Sequence, residues 1–173
     1  MIYEFCAENV TLLEKAMEAG ARRIELCDNL AVGGTTPSYG VTKAAVELAA
    51  NYDTTIMTMI RPRGGDFVYT DLEIAIMLED IRLTAQAGSQ GVVFGALTAD
   101  KKLDKPNLEK LITASKGMEI VFHMAFDELS DEEQLEAIDW LSQAGVTRIL
   151  TRAGVSGDSL EKRFAHYHRI LEH

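Results

Sequence analysis

Glu18-Ala19-Gly20-Ala21-Arg22-Arg23-Ile24-Glu25, Gln86-Ala87-Gly88-Ser89-Gln90-Gly91-Val92-Val93 and Gln143-Ala144-Gly145-Val146-Thr147-Arg148-Ile149-Leu150 follow one plan. Each is the last turn of an amphipathic stretch, then a glycine, then a β-prone run two or three residues later. A glycine at that place can take the left-handed conformation that stops a helix and sends the chain into a strand. Gly20, Gly88 and Gly145 are each separated by about two βα units of roughly thirty residues. Outward from these joints the sequence predicts strands over 2–6, 23–27, 54–60, 91–94, 119–123 and 147–151. Between them it predicts helices over 9–19, 41–50, 71–87, 106–115, 131–143 and 158–171. Val10, Leu13 and Met17 stand at helical spacing in the first of these. Thr70 and Asp71 have the chemistry to start the third, and Ser130 with Glu133 reads as a capping box for the fifth.

Strict βα alternation leaves an open doubly wound sheet or a (β/α)8 barrel. The doubly wound sheet prefers a Gly-rich turn after its first strand, and here that strand runs into Cys6-Ala7-Glu8-Asn9 instead. The strands also carry charged residues, which a barrel interior holds near its C-terminal mouth more easily than a sheet sandwiched between helices. The expected fold is therefore α/β, a TIM-type barrel with only six βα units, forming one domain over residues 1–173. An eight-stranded barrel needs two more units, so the expectation is a longer chain or a partner chain covering the gap.

Composition narrows the function. Of the 173 residues 47% are hydrophobic and 25% charged, as in ordinary globular proteins. The net charge of −10 and pI near 4.8 argue against nucleic-acid and anionic-membrane partners. MIYEFCAENV has neither the basic nor the apolar region of a signal peptide, and no apolar run is long enough to span a membrane. The expected location is cytoplasmic, where the two cysteines remain reduced.

Candidate chemistry gathers at strand ends. Alternation puts Glu4 with Cys6 on one face of the first strand and Glu25 with Cys27 on one face of the second. Their apolar neighbours suit a helix layer, so the Glu-x-Cys side chains point inward. Adjacent strands lie about 4.8 Å apart, which makes Cys6 and Cys27 near neighbours. Two thiolates so placed suit a soft cation such as Cu(I), while plain burial of two small apolar side chains is the competing reading. Arg61 and Arg63 beside Gly64 and Gly65 suggest a carboxylate or phosphate site; the alternative is a guanidinium paired with Glu25 or Glu4. His123 with Asp127 offers acid–base chemistry, with Glu25 as a further acid or base. Arg152, followed by Gly154 and Ser156-Gly157, resembles an anion-receiving turn. Met57 and Met59 read as core, the acidic run 127–136 as a solvated helix start, and His166, His168 and His173 as unsuited to a shared metal.

The same residues resemble the CutC family. The resemblance is carried by Glu4-Phe5-Cys6, by Gly20 to Leu30, by Gly33-Gly34-Thr35-Thr36-Pro37-Ser38-Tyr39-Gly40 and by Met59 to Phe67. It continues through Gly91 to Leu97, Phe122-His123, Ala125-Phe126-Asp127 and Arg148 to Thr151. It implies a TIM barrel, a cytoplasmic role in copper homeostasis, and Cu(I) ligation by Cys6 and Cys27. Met124 stands where the family usually has an arginine, which removes a positive charge beside the fifth strand. The family also continues past a sixth helix, so a phosphate site built by later strands would be incomplete here. Two functions are expected in parallel. One is a Cu(I)-binding homeostasis protein. The other is a barrel enzyme acting on a small anionic metabolite, held by Arg61, Arg63 and Arg152 with Glu25, His123 or Asp127 as acid–base groups. A homo-oligomer is expected in either case.

Overall fold

The computed structural model describes residues 2–154 and 157–173. Six parallel strands lie in sequence order: β1 Glu4–Glu8, β2 Arg23–Cys27, β3 Thr55–Met59, β4 Gly91–Phe94, β5 Glu119–Phe122 and β6 Arg148–Ile149. The helices are α1 Leu13–Glu18, α2 Tyr39–Ala49, α3 Asp71–Ala87, α4 Lys105–Ala114, α5 Asp131–Gln143 and α6 Leu160–Glu172. Two 3₁₀ turns, Leu30–Val32 and Met124–Glu128, follow β2 and β5. Each of α1 to α5 returns the chain to the next parallel neighbour, so the sheet curls into part of an α/β barrel, with β1 and β6 each paired on one side among the described residues.

Gly20, Gly88 and Gly145 have φ of +98°, +89° and +89°, the left-handed helix stop that their spacing predicted. Alternation then sorts the side chains. Ile24, Leu26, Ile56, Val92, Phe94, Ile120 and Phe122 pack outward beneath the helices. Cys27, Met57, Met59, Val93 and Val121 form a separate inner cluster, which places both methionines in the core.

Several boundaries differ from expectation for physical reasons. β1 begins two residues late, because pairing of Glu4 with Arg23 and Glu8 with Cys27 fixes its span and leaves Ile2 and Tyr3 in solvent. Cys6 is thus mid-strand, while Cys27 ends β2. α1 starts at Leu13 because Asn9 sits at φ +57°, which takes the chain through a turn first. The capping box forms at Thr70, where Glu73 both donates its backbone N–H to Thr70 and accepts from the Thr70 backbone. At α5 only the Ser130 half forms, and Glu133 pairs with Lys102. Asp127 is not part of a solvated helix start: the 3₁₀ turn after β5 buries it.

Candidate metal centre

The register of β1 on β2 sets the centre. Cys6 stands opposite Glu25, and Cys27 is two residues further along the same face. The three side chains meet on the inner surface: Cys6 Sγ is 4.0 Å from Cys27 Sγ, and Glu25 Oε1 is 3.5 Å from Cys6 Sγ and 3.8 Å from Cys27 Sγ. Glu25 and Cys27 are buried and Cys6 is exposed. Glu25 Oε2 is buried without a partner. Below this layer Arg23 Nη1 pairs with Glu4 Oε2 at 3.2 Å, so Glu4 is drawn away from the thiols.

Electrostatics favour the thiol form of Cys27. The hydrogen bond with the Cys6 thiol, then burial, then the Glu25 charge all push the Cys27 thiol above its ordinary value. Burial also raises the Glu25 carboxyl, partly offset by the Cys6 thiol. An ion entering must displace thiol protons, which it does by offering a stronger bond to sulfur.

The donor set fits one soft ion. Two metal–sulfur bonds of about 2.3 Å span sulfurs 4.0 Å apart at an angle of about 120°. The carboxylate oxygen, 3.5 and 3.8 Å from the two sulfurs, occupies the third corner of that triangle. Thiolates favour Cu(I) or Zn²⁺ over Mg²⁺ or Ca²⁺. These are the residues that can hold a metal together among those described.

The remaining candidates do not join this cluster. Arg61 is buried, and its guanidinium does not pair with Glu25 or Glu4. Nη1 donates to the carbonyls of Val32 at 2.9 Å and Gly34 at 3.0 Å, and Nη2 to Gly65 at 2.7 Å. Arg63 braces its own loop through the carbonyls of Gly64, Asp66 and Val68 and an ion pair with Glu73. His123 and Asp127 face different partners. His123 Nδ1 accepts from the Ala125 N–H at 3.2 Å, while Asp127 accepts from Thr151 Oγ1 and from the Arg152 N–H. Burial, reinforced by the Arg61 charge, lowers the His123 pKa to about 3. Arg152 lies 3.7 Å from Asp127 through Nε and touches Met124 Sδ; Ser156 of the same turn lies outside the described residues.

Two contributions to the centre were not read from the sequence. Glu25 was seen there as an acid–base group, not as a ligand. Gly34 was not singled out, yet its backbone seals Cys27: a Cβ there would stand 3.0 Å from Cys27 Sγ. The Gly33-Gly34 pair beside the second Glu-x-Cys was the available signal.

Known proteins share this arrangement of chain. A family protein CutC from Enterococcus faecalis is 51% identical over 171 residues, covering 99% of this chain and 82% of that protein. One from Bacteroides thetaiotaomicron is 43% identical over 149 residues, and there the match spans 58% of the relative's length. The CutC structure from Streptococcus agalactiae, solved under a provisional copper-homeostasis name, superposes with a TM-score of 0.95 at 44% identity, covering 99% of this chain and 82% of that one. An archaeal fructose 1,6-bisphosphate aldolase superposes with a TM-score of 0.62 at 14% identity, covering 92% of this chain and 62% of that one, a likeness of barrel fold alone. The CutC family model matches residues 1–166, and with these identities the chain belongs to the CutC family.

Proposed function

We propose that the protein handles copper in the cytoplasm, binding one Cu(I) per chain through Cys6 and Cys27 with the Glu25 carboxylate as third donor. The supporting observation is the pair of thiols 4.0 Å apart, one exposed and one buried, on neighbouring strands. An exposed sulfur can accept an ion from a carrier, and a buried one with a carboxylate beside it can retain it. Reduced protein titrated with Cu(I) in competition with bicinchoninate should bind one equivalent per chain. Cys6→Ala combined with Cys27→Ala should abolish the binding; equal binding by that double variant defeats the reading.

A second reading, an anion-binding site of enzymatic type, draws on the other end of the inner surface. Ala125 N–H donates to His123 Nδ1, so the neutral ring carries its proton on Nε2, which is buried without an acceptor. Arg61 Nε is also buried and unpartnered, and Phe67 touches both residues, at 4.7 Å from the His123 ring and 4.9 Å from the Arg61 guanidinium. Phe67 also lines a cavity of about 550 Å³ with Gly65, Leu97 and Thr98. Phosphate should raise the melting temperature of the wild type and not of His123→Asn; an equal response in both excludes this site.

A further inference from the structure

Cys27 packs with Met57, Met59, Val93 and Val121 on the sheet, and the Gly34 backbone closes over its sulfur. The segment after β2 passes through left-handed turns at Asn29, Gly33 and Gly34, and Gly34 lies directly on the sulfur. Within the segment Asp28 and Thr35 exchange two backbone hydrogen bonds, and the Val32, Gly33 and Gly34 N–H groups bond back to Asn29 and Leu30, while the Val32 and Gly34 carbonyls take their partners from elsewhere. Arg61 supplies them. Its Nη1 bridges the Val32 and Gly34 carbonyls, while its backbone exchanges two hydrogen bonds with Thr36, each 2.9 Å long. The third carbonyl, Gly65, and the Phe67 ring hold the guanidinium from the opposite side. One residue of β3's exit thereby grips residues 32–36 at both ends.

We infer that Arg61 is a positioning residue for the thiol pair: it clamps the Gly34 backbone over Cys27, so that a soft ion meets exposed Cys6 first and reaches Cys27 from that side. This deepens the copper reading and rests on it for its function, but the clamp itself is testable without metal. Arg63, two residues along, bonds instead to Gly64, Asp66, Val68 and Glu73 and serves as the internal comparison.

The experiment measures iodoacetamide alkylation of native Cys27 in a Cys6→Ser background. Arg61→Ala removes charge-assisted hydrogen bonds and should accelerate alkylation by about tenfold or more. Arg61→Lys can place one ammonium between the Val32 and Gly34 carbonyls and should restore most of the protection. Arg63→Ala should leave the rate unchanged. With both cysteines present, Arg61→Ala should also release Cu(I) faster to bicinchoninate. If Arg61→Ala does not fold, Thr36→Val loosens the same segment and should raise the Cys27 rate. The inference is overturned if neither Arg61→Ala nor Thr36→Val accelerates alkylation, or if Arg63→Ala accelerates it equally. Absence of Cu(I) binding by the wild type, with the alkylation pattern intact, overturns the copper reading and leaves the clamp standing.

Discussion

Acid should destabilise this protein through His123. The ring is fully buried between Phe67 and Gly95, where even a Cβ on Gly95 would collide with it at 2.7 Å. Burial disfavours the charged ring, and the Arg61 guanidinium already supplies a positive charge nearby. The folded pKa is about 3, against 6.5 for a free histidine. Because the folded value is depressed, the unfolded chain takes up a proton below pH 6.5 that the folded chain refuses. Stability is therefore intact above pH 6.5 and falls with pH down to about 3. One pH unit is worth about 1.4 kcal/mol, so the loss is about 2 kcal/mol at pH 5 and about 3 kcal/mol at pH 4. That is a large share of the 5–15 kcal/mol typical of a domain. Burial of Glu25 and Asp80 raises their pKa values and acts in the opposite sense, so the comparison must be with a variant that lacks only the ring. Asn at 123 retains an acceptor for the Ala125 N–H and cannot ionise. Urea denaturation of wild type and His123→Asn from pH 7.5 to 4 should give curves that diverge in slope by about 1.4 kcal/mol per pH unit below pH 6. Parallel curves, or an NMR titration placing His123 near 6.5, would refute the burial argument.

Three further outcomes are expected. Thr70→Ala removes the Thr70 half of the α3 capping box and should cost about 1 kcal/mol in urea denaturation, with α3 amide exchange accelerated most. Gly91→Ala would place a Cβ 2.8 Å from the Glu119 carbonyl and 2.7 Å from the Met57 sulfur, and should destabilise by about 1–3 kcal/mol. Glu25→Gln leaves both thiols in place and should weaken Cu(I) binding by about tenfold in the bicinchoninate competition, far less than loss of either cysteine.

The sequence was most legible where local chemistry and tertiary contact agree. β2, α3 and β4 begin and end where expected because glycines, caps and β-branched runs bound them on both sides. β1 was misplaced because Ile2 and Tyr3 look like strand residues but have no neighbour to cover them; the ladder to β2 chose Ala7 and Glu8 instead. β6 is two residues long, with Arg148 and Ile149 alone laddered to Val121 and Phe122 of β5. At the site, alternation was enough to bring Cys6, Glu25 and Cys27 to one face, since a two-residue period needs no knowledge of the loops. The arginines were a different problem. A guanidinium beside glycines looks the same in sequence whether its acceptor is a bound anion or the loop's own carbonyls, and here Arg61 and Arg63 both find carbonyls. Asp127 likewise reads as one more acidic residue until the turn after β5 aims it at Thr151 and Arg152.

β1 hydrogen-bonds to the sheet along one edge, and yet it contributes the exposed member of the thiol pair. Strands held on one side fray at low free-energy cost, so the distance between the two sulfurs inherits the breathing of the N-terminal strand. An ion gripped by both would act as a cross-link between β1 and β2. A free-ion concentration a hundred times the dissociation constant would add about 2.7 kcal/mol to the cost of peeling β1 away. The cargo and the strand would then be read out together: amides of residues 4–8 should exchange slowly in the loaded protein and quickly in the empty one, which makes the N-terminal strand a built-in reporter of whether the site is filled.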